Sequence, residues 1–137
     1  MRTLNVCRPV AEWRDPRHRR GLAGEVAAAR WLESHGFVIE AHRFRLGHHD
    51  LDLIARRGDL VVFVEVKARV STAFGPATLG IGWQKRRSMG RVASVWIARF
   101  GRPADRYRFD VVSVLWGRRN GFPDIDHIEG AFFHMEK

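Results

Sequence analysis

The chain has 137 residues, is 45% hydrophobic, and carries a formal net charge of +9 with a pI near 11.3. That is enough for one domain with one core, and the surplus of arginine suits a polyanion, nucleic acid first and an anionic membrane surface second. No run reaches the roughly 18 apolar residues of a spanning helix. The N-terminus MRTLNVCRPVAEWRDPRHRR has no apolar h-region, and the single Cys7 excludes an internal disulfide, so a cytoplasmic protein is expected.

Residues 1–20 lack apolar periodicity and include Arg2, Arg8, Arg14, Arg17, Arg19 and Arg20 with Pro9 and Pro16. They read as a flexible basic arm, either touching phosphates or without function. Residues 21–35 read as a helix, with Leu22, Val26, Ala29 and Leu32 at helical spacing and Gly36 as the stop. Glu25 borders the apolar stripe. It is either a solvated flank or aimed across the sheet at further carboxylates. Residues 37–45 alternate as a strand, with Phe37, Ile39 and Ala41 on one face. The loop at His48 and His49 reads as polar or basic rather than metal-binding, because neighbours on an extended chain point apart.

The stretch from His49 to Arg69 reads as a β-hairpin, DLDLIA and LVVFVEVKA around Arg56-Arg57-Gly58-Asp59. A turn at Arg57-Gly58 pairs Arg56 with Asp59, sets Asp52 opposite Phe63 and Asp50 opposite Glu65. Alternation then puts Asp50, Asp52, Glu65 and Lys67 on one face, with Asp52 and Glu65 diagonal at roughly 7–8 Å. Leu51, Leu53, Val62, Val64 and Val66 take the other face as core. Two readings stay open. One is a solvent-facing hairpin with ordinary alternating charges. The other is a site for a hard divalent cation, Mg²⁺, Mn²⁺ or Ca²⁺, placed to offset three clustered carboxylates.

The stretch 70–83 is rich in Gly, Ser and Thr and reads as a long loop. Residues 83–100 form a second helix, buried through Met89, Val92, Ala93, Trp96 and Ile97. Lys85, Arg86, Arg87 and Arg91 crowd its first turns, where the helix start already favours anions. Residues 106–116 alternate as a strand, and 125–132 give a short final strand or edge segment. Asp124, Asp126 and His127 read as a polar turn before they read as ligands.

This α-β-β-β-α-β order, with an acid on one strand and Glu-x-Lys on the next, resembles the PD-(D/E)XK or restriction-endonuclease-like fold. More closely, GLAGEVAAARWL, DLDLIA, VVFVEVKAR with Phe74-Gly75, the Lys85 helix, RFDVV and HIEGAF resemble the YraN-like family of small bacterial proteins over about residues 21–133. The resemblance implies a single α/β domain at 21–133 with a central mixed sheet flanked by helices, a basic arm at 1–20 and a tail at 134–137. It makes Asp52 and Glu65 the metal carboxylates, with Mg²⁺ or Mn²⁺ as cofactor, and Lys67 the catalytic lysine. Glu25 matches the helix glutamate of resolvase-like members. The sequence departs from the family at Asp50, where a Gly-Glu-Ile-Asp-Leu-Ile run usually has Glu, and the Pro-Asp of the fold's name is absent.

The expected activity is a metal-dependent DNA endonuclease, resolvase-like and acting on structured DNA. The Val66 carbonyl would serve as a further ligand, and Lys85, Arg86, Arg87 and Arg91 would hold the phosphate backbone without reading sequence. The alternative is a non-catalytic DNA- or RNA-binding module with a remnant site, and behind it a basic adaptor for an acidic protein. DNA is favoured over RNA, and no membrane partner is expected. Resolvase-like members pair as homodimers, although no interface signature is visible here.

Overall fold

The computed structural model describes residues 7–14, 19–70, 82–119 and 121–132. The loop expected after the hairpin, with Phe74 and Gly75, lies largely outside the described residues, as does the tail. Among the described residues, two α-helices and five strands are formed: α1 (Arg19–Ser34), β1 (Val38–Leu46), β2 (His49–Arg57), β3 (Leu60–Arg69), α2 (Trp83–Phe100), β4 (Arg106–Arg119) and β5 (Phe122–Phe132). The sheet order is β1-β2-β3-β4-β5, antiparallel throughout except for the parallel β3–β4 pair. A parallel pair needs a crossover, and α2 supplies it. This is the expected single α/β domain with a mixed sheet. The final strand is longer than its short apolar segment suggested, because β5 follows β4 as a hairpin partner. Among the described residues no helix is long and apolar enough to cross a membrane.

Each helix covers its own face of the sheet. Met89, Val92, Ala93 and Trp96 of α2 pack with Ile54, Val61, Phe63, Phe109 and Val111. Ala28, Ala29 and Leu32 of α1 pack with Leu53, Ala55, Val62, Val64, Val112 and Val114. Odd and even residues of β3 and β4 thus go to opposite helices, as strand alternation requires. Gly24 lets α1 close on the far end of β3, since a Cβ there would lie 2.6 Å from the Ala68 Cβ.

Three expectations need correction. The hairpin turns at Gly58-Asp59, with Arg57 paired to Leu60. A turn at Arg57-Gly58 would ask for positive φ at Arg57, whereas the observed turn places it on Gly58 (φ +62). The register slips by two residues, so the side-chain faces of β3 survive.

A second correction concerns Ala41. A bulge between Ile39 and Ala41 sends Ala41 to the α2 side while Phe37 and Ile39 stay on the α1 side. An extra residue in a strand reverses the alternation beyond it.

The third concerns residues 7–14, which are not a loose arm. A 3-10 turn at Val10–Glu12 buries Val10 and Trp13, and both join the α1-side core.

Candidate active site

The β2–β3 ladder ends at Leu53–Val64. The next pair in that register is Asp52 and Glu65, and there the strands part. Extended by one step, that register sets Asp52 opposite Glu65 rather than diagonal to it. The Asp52 side chain fills the gap in the ladder, with Oδ2 accepting a 2.8 Å hydrogen bond from the Val66 N–H. Alternation also breaks here. Leu51 packs on the α2 side and Leu53 on the α1 side, which corrects the expected shared face for the two leucines. Asp50 is consequently out of phase with Glu65. It sits half-buried opposite Arg45, and it is not brought to the carboxylate pair. The break coincides with the left-handed Arg43 (φ +54), which lies between the His42–Leu53 and Phe44–Leu51 pairs of the β1–β2 ladder, at the position of Asp52.

Glu65 is buried, and its Oε2 has no hydrogen-bond partner. The Lys85 ammonium reaches to 3.6 Å from that oxygen, close enough for charge but too long for a hydrogen bond. Lys67 stands on the same β3 face two residues on. Burial pushes Asp52 up to about 8, helped by the Glu65 charge beside it and opposed by the Val66 N–H; the Glu25 charge raises it further and Lys85 lowers it. Burial pushes Glu65 up as well, with Lys85 and Lys67 pulling against it.

Glu25 on α1 is held by β1 rather than by the hairpin carboxylates, and only its charge acts on Asp52. Glu25 is buried, with Oε1 at 2.6 Å from His42 Nε2 and at 2.8 Å from Arg43 Nε. The sequence reading missed both partners, since a histidine and an arginine on a half-exposed strand carry no periodic signal. It also placed Lys85 only on a phosphate-tracking surface, whereas here it faces Glu65. Arg86, Arg87 and Arg91 are exposed along the start of α2, as expected of a basic surface.

The two lifted carboxylates have a measurable consequence. Their native pKa values lie above those of the unfolded chain, so between pH 3.8 and about 8 the folded protein binds more protons than the unfolded one. Stability contributed by this pair must then fall as pH rises through that window. The melting temperature of Asp52→Asn relative to wild type, measured in metal-free buffer from pH 5 to 8, is expected to climb steadily with pH. A constant difference would mean that Asp52 titrates normally.

Whether these groups suit a cation is answered by their donor set. Among the described residues no three His, Cys, Asp or Glu side chains gather as a ready-made metal cage. The Asp52–Glu65 pair, with one oxygen lacking a hydrogen-bond partner, fits Mg²⁺ or Mn²⁺, which take one or two carboxylates and fill the remaining places with water and phosphate.

A small basic α/β protein with one buried and one half-buried carboxylate and two lysines where its sheet parts is the class these observations define. The chain belongs to the family described as uncharacterised protein family UPF0102, whose model matches residues 24–114. It is similar to a UPF0102 protein of Mesorhizobium japonicum, 44% identical over 92% of this chain and 95% of the relative. It is also similar to one from Nocardia farcinica, 41% identical over 82% of this chain and 87% of the relative. A third, from Geobacter metallireducens, is 37% identical over 82% and 90%.

Proposed function

We propose that this protein is a Mg²⁺- or Mn²⁺-dependent nucleic-acid phosphodiesterase, an endonuclease of the PD-(D/E)XK kind acting on DNA. The observation that carries the reading is the buried Glu65 Oε2, without a hydrogen bond, across from an Asp52 whose ionisation is already disfavoured. Burying such a pair is costly unless a cation or proton compensates it. Asp52 and Glu65 would hold the ion, which when bound would acidify a water and draw charge from the scissile phosphate. Lys67 orients the attacking water or stabilises charge building on phosphorus. Lys85 moves little to meet a phosphate oxygen in place of Glu65. Arg86, Arg87 and Arg91 hold the backbone without reading bases. Glu25 keeps the negative field on Asp52 that favours a cation.

One observation favours the second reading, a binding module with a remnant site: Lys85 already compensates Glu65 without any ion. Incubation of supercoiled plasmid and of a four-way junction with the protein and Mn²⁺ separates the two. Nicking or resolution that is lost in Lys67→Ala and in Glu65→Gln is expected. Binding of both substrates with no cleavage under any divalent cation would leave only the module.

A further inference from the structure

A cavity of about 550 Å³ lies between residues 7–14 and the edge strand β1. Its volume falls within the range of small-ligand sites. Arg8, Arg14, Arg43 and Arg45 line it together with the two acids Glu12 and Glu40; Arg14 already donates to the Ala11 and Trp13 carbonyls. Glu40 is engaged by the buried Arg56 at 3.2 Å. The cavity is thus biased to anions, with Arg8 and Arg45 exposed at its mouth.

Its floor is built rather than incidental. The Trp13 and His42 rings stack with centroids 3.7 Å apart and planes within 10°, and the Trp13 Nε1–H donates to the Arg8 carbonyl at 2.9 Å. Arg43 holds a left-handed backbone, φ +54, within a strand. Such a conformation is strained and persists where surrounding contacts enforce it. Here the enforcing contact is the two-nitrogen grip of Arg43 on Glu25. His42 and Arg43 therefore line the cavity on one side and hold Glu25 on the other, and the Glu25 charge acts on Asp52.

We propose that this cavity binds one nucleoside phosphate, its phosphate held by Arg8 and Arg45 at the mouth. It is a subsite for the strand presented to Asp52 and Glu65. The inference rests on the nucleic-acid reading above and adds a second contact region, on the β1 side, to the basic start of α2. A nucleoside phosphate has two sources, a free nucleotide or a unit within a strand, and the test separates them.

The test is fluorescence anisotropy of a labelled single-stranded 12-mer in Mg²⁺-free buffer across a salt series, with wild type and the double variant Arg8→Gln/Arg45→Gln. Both arginines are exposed, so the variant should melt with wild type. If the two arginines clasp one phosphate, the salt slope should drop by about 0.7 and affinity by roughly tenfold. Competition by dAMP at the same concentrations as the strand would assign the site to a free nucleotide; competition only by oligonucleotide would assign it to a strand. Equal competition by inorganic phosphate would overturn the nucleoside part of the proposal. Unchanged affinity and slope in the double variant would overturn the subsite while leaving the nucleic-acid reading intact. Absence of binding by wild type would remove both.

Discussion

Glu65→Gln should raise the melting temperature of the metal-free protein by several degrees and erase its response to Mn²⁺. The first effect follows because the buried Glu65 carboxylate, whose ionisation burial disfavours, is replaced by a neutral amide, and above about pH 8 its repulsion with Asp52 goes too. The second follows because an ion that binds only the native state stabilises by about 2.7 kcal/mol at a hundred times its Kd. In a domain of this size that is on the order of 10 °C. Nucleic-acid affinity should stay near normal, since the basic surfaces are untouched. Paired thermal melts with and without millimolar Mn²⁺, in wild type and variant, give the answer. A wild type that shows no shift, even with DNA present, would falsify the metal-site reading.

Asp110→Ala is expected to be the most destabilising single change in the described part of the molecule. Asp110 is fully buried on β4 and accepts four hydrogen bonds: two from Arg108 at 2.8 Å each, one from His127 at 2.7 Å and one from the Gly130 N–H at 3.0 Å. Burial alone would push its carboxyl up, but His127, Arg108 and the Gly130 N–H together hold it below the ordinary range. Breaking a buried ion pair costs about 3–5 kcal/mol; Arg108 is a quarter exposed and stays 3.8 Å from Glu129, so the lower end of that range is expected. Against a total stability of roughly 5–15 kcal/mol, urea unfolding should show the midpoint fall steeply. Asp59→Ala is the contrast. Its pair with Arg106 is 2.9 Å long, but the two side chains are 52% and 68% exposed, so under about 1 kcal/mol is expected. A loss at Asp110 no larger than that at Asp59 would show that the four-bond cluster contributes nothing to the fold.

The elements were legible in the sequence because their signals are periodic. Alternation along LVVFVEVKA put Glu65 and Lys67 on the face opposite Val62 and Val64, and the odd–even partition of β3 holds. Helical spacing found Met89, Val92, Ala93 and Trp96. What alternation could not show was where it stops: the bulge before Ala41 and the parting of β2 from β3 at Asp52 each move a side chain to the other face. Contacts between distant segments were also hidden. His127 read as part of a polar turn until β5 paired with β4 and brought its ring to Asp110. Trp13 lies among arginines and prolines, and only the folded chain shows it stacked on His42.

The irregular outer strands have a consequence for how these molecules behave next to one another. β1 and β5 are the two borders of the sheet, and a border strand is a template for pairing with a second chain. On β1, the bulge before Ala41 and the left-handed Arg43 interrupt the row of amides, and residues 7–14 pack against it. On β5, Pro123 lacks an N–H and Gly130 turns to φ +58. A foreign strand laid along either border would find only a few consecutive groups in register. Edge-to-edge pairing between copies is thus opposed by backbone geometry, independently of the net positive charge.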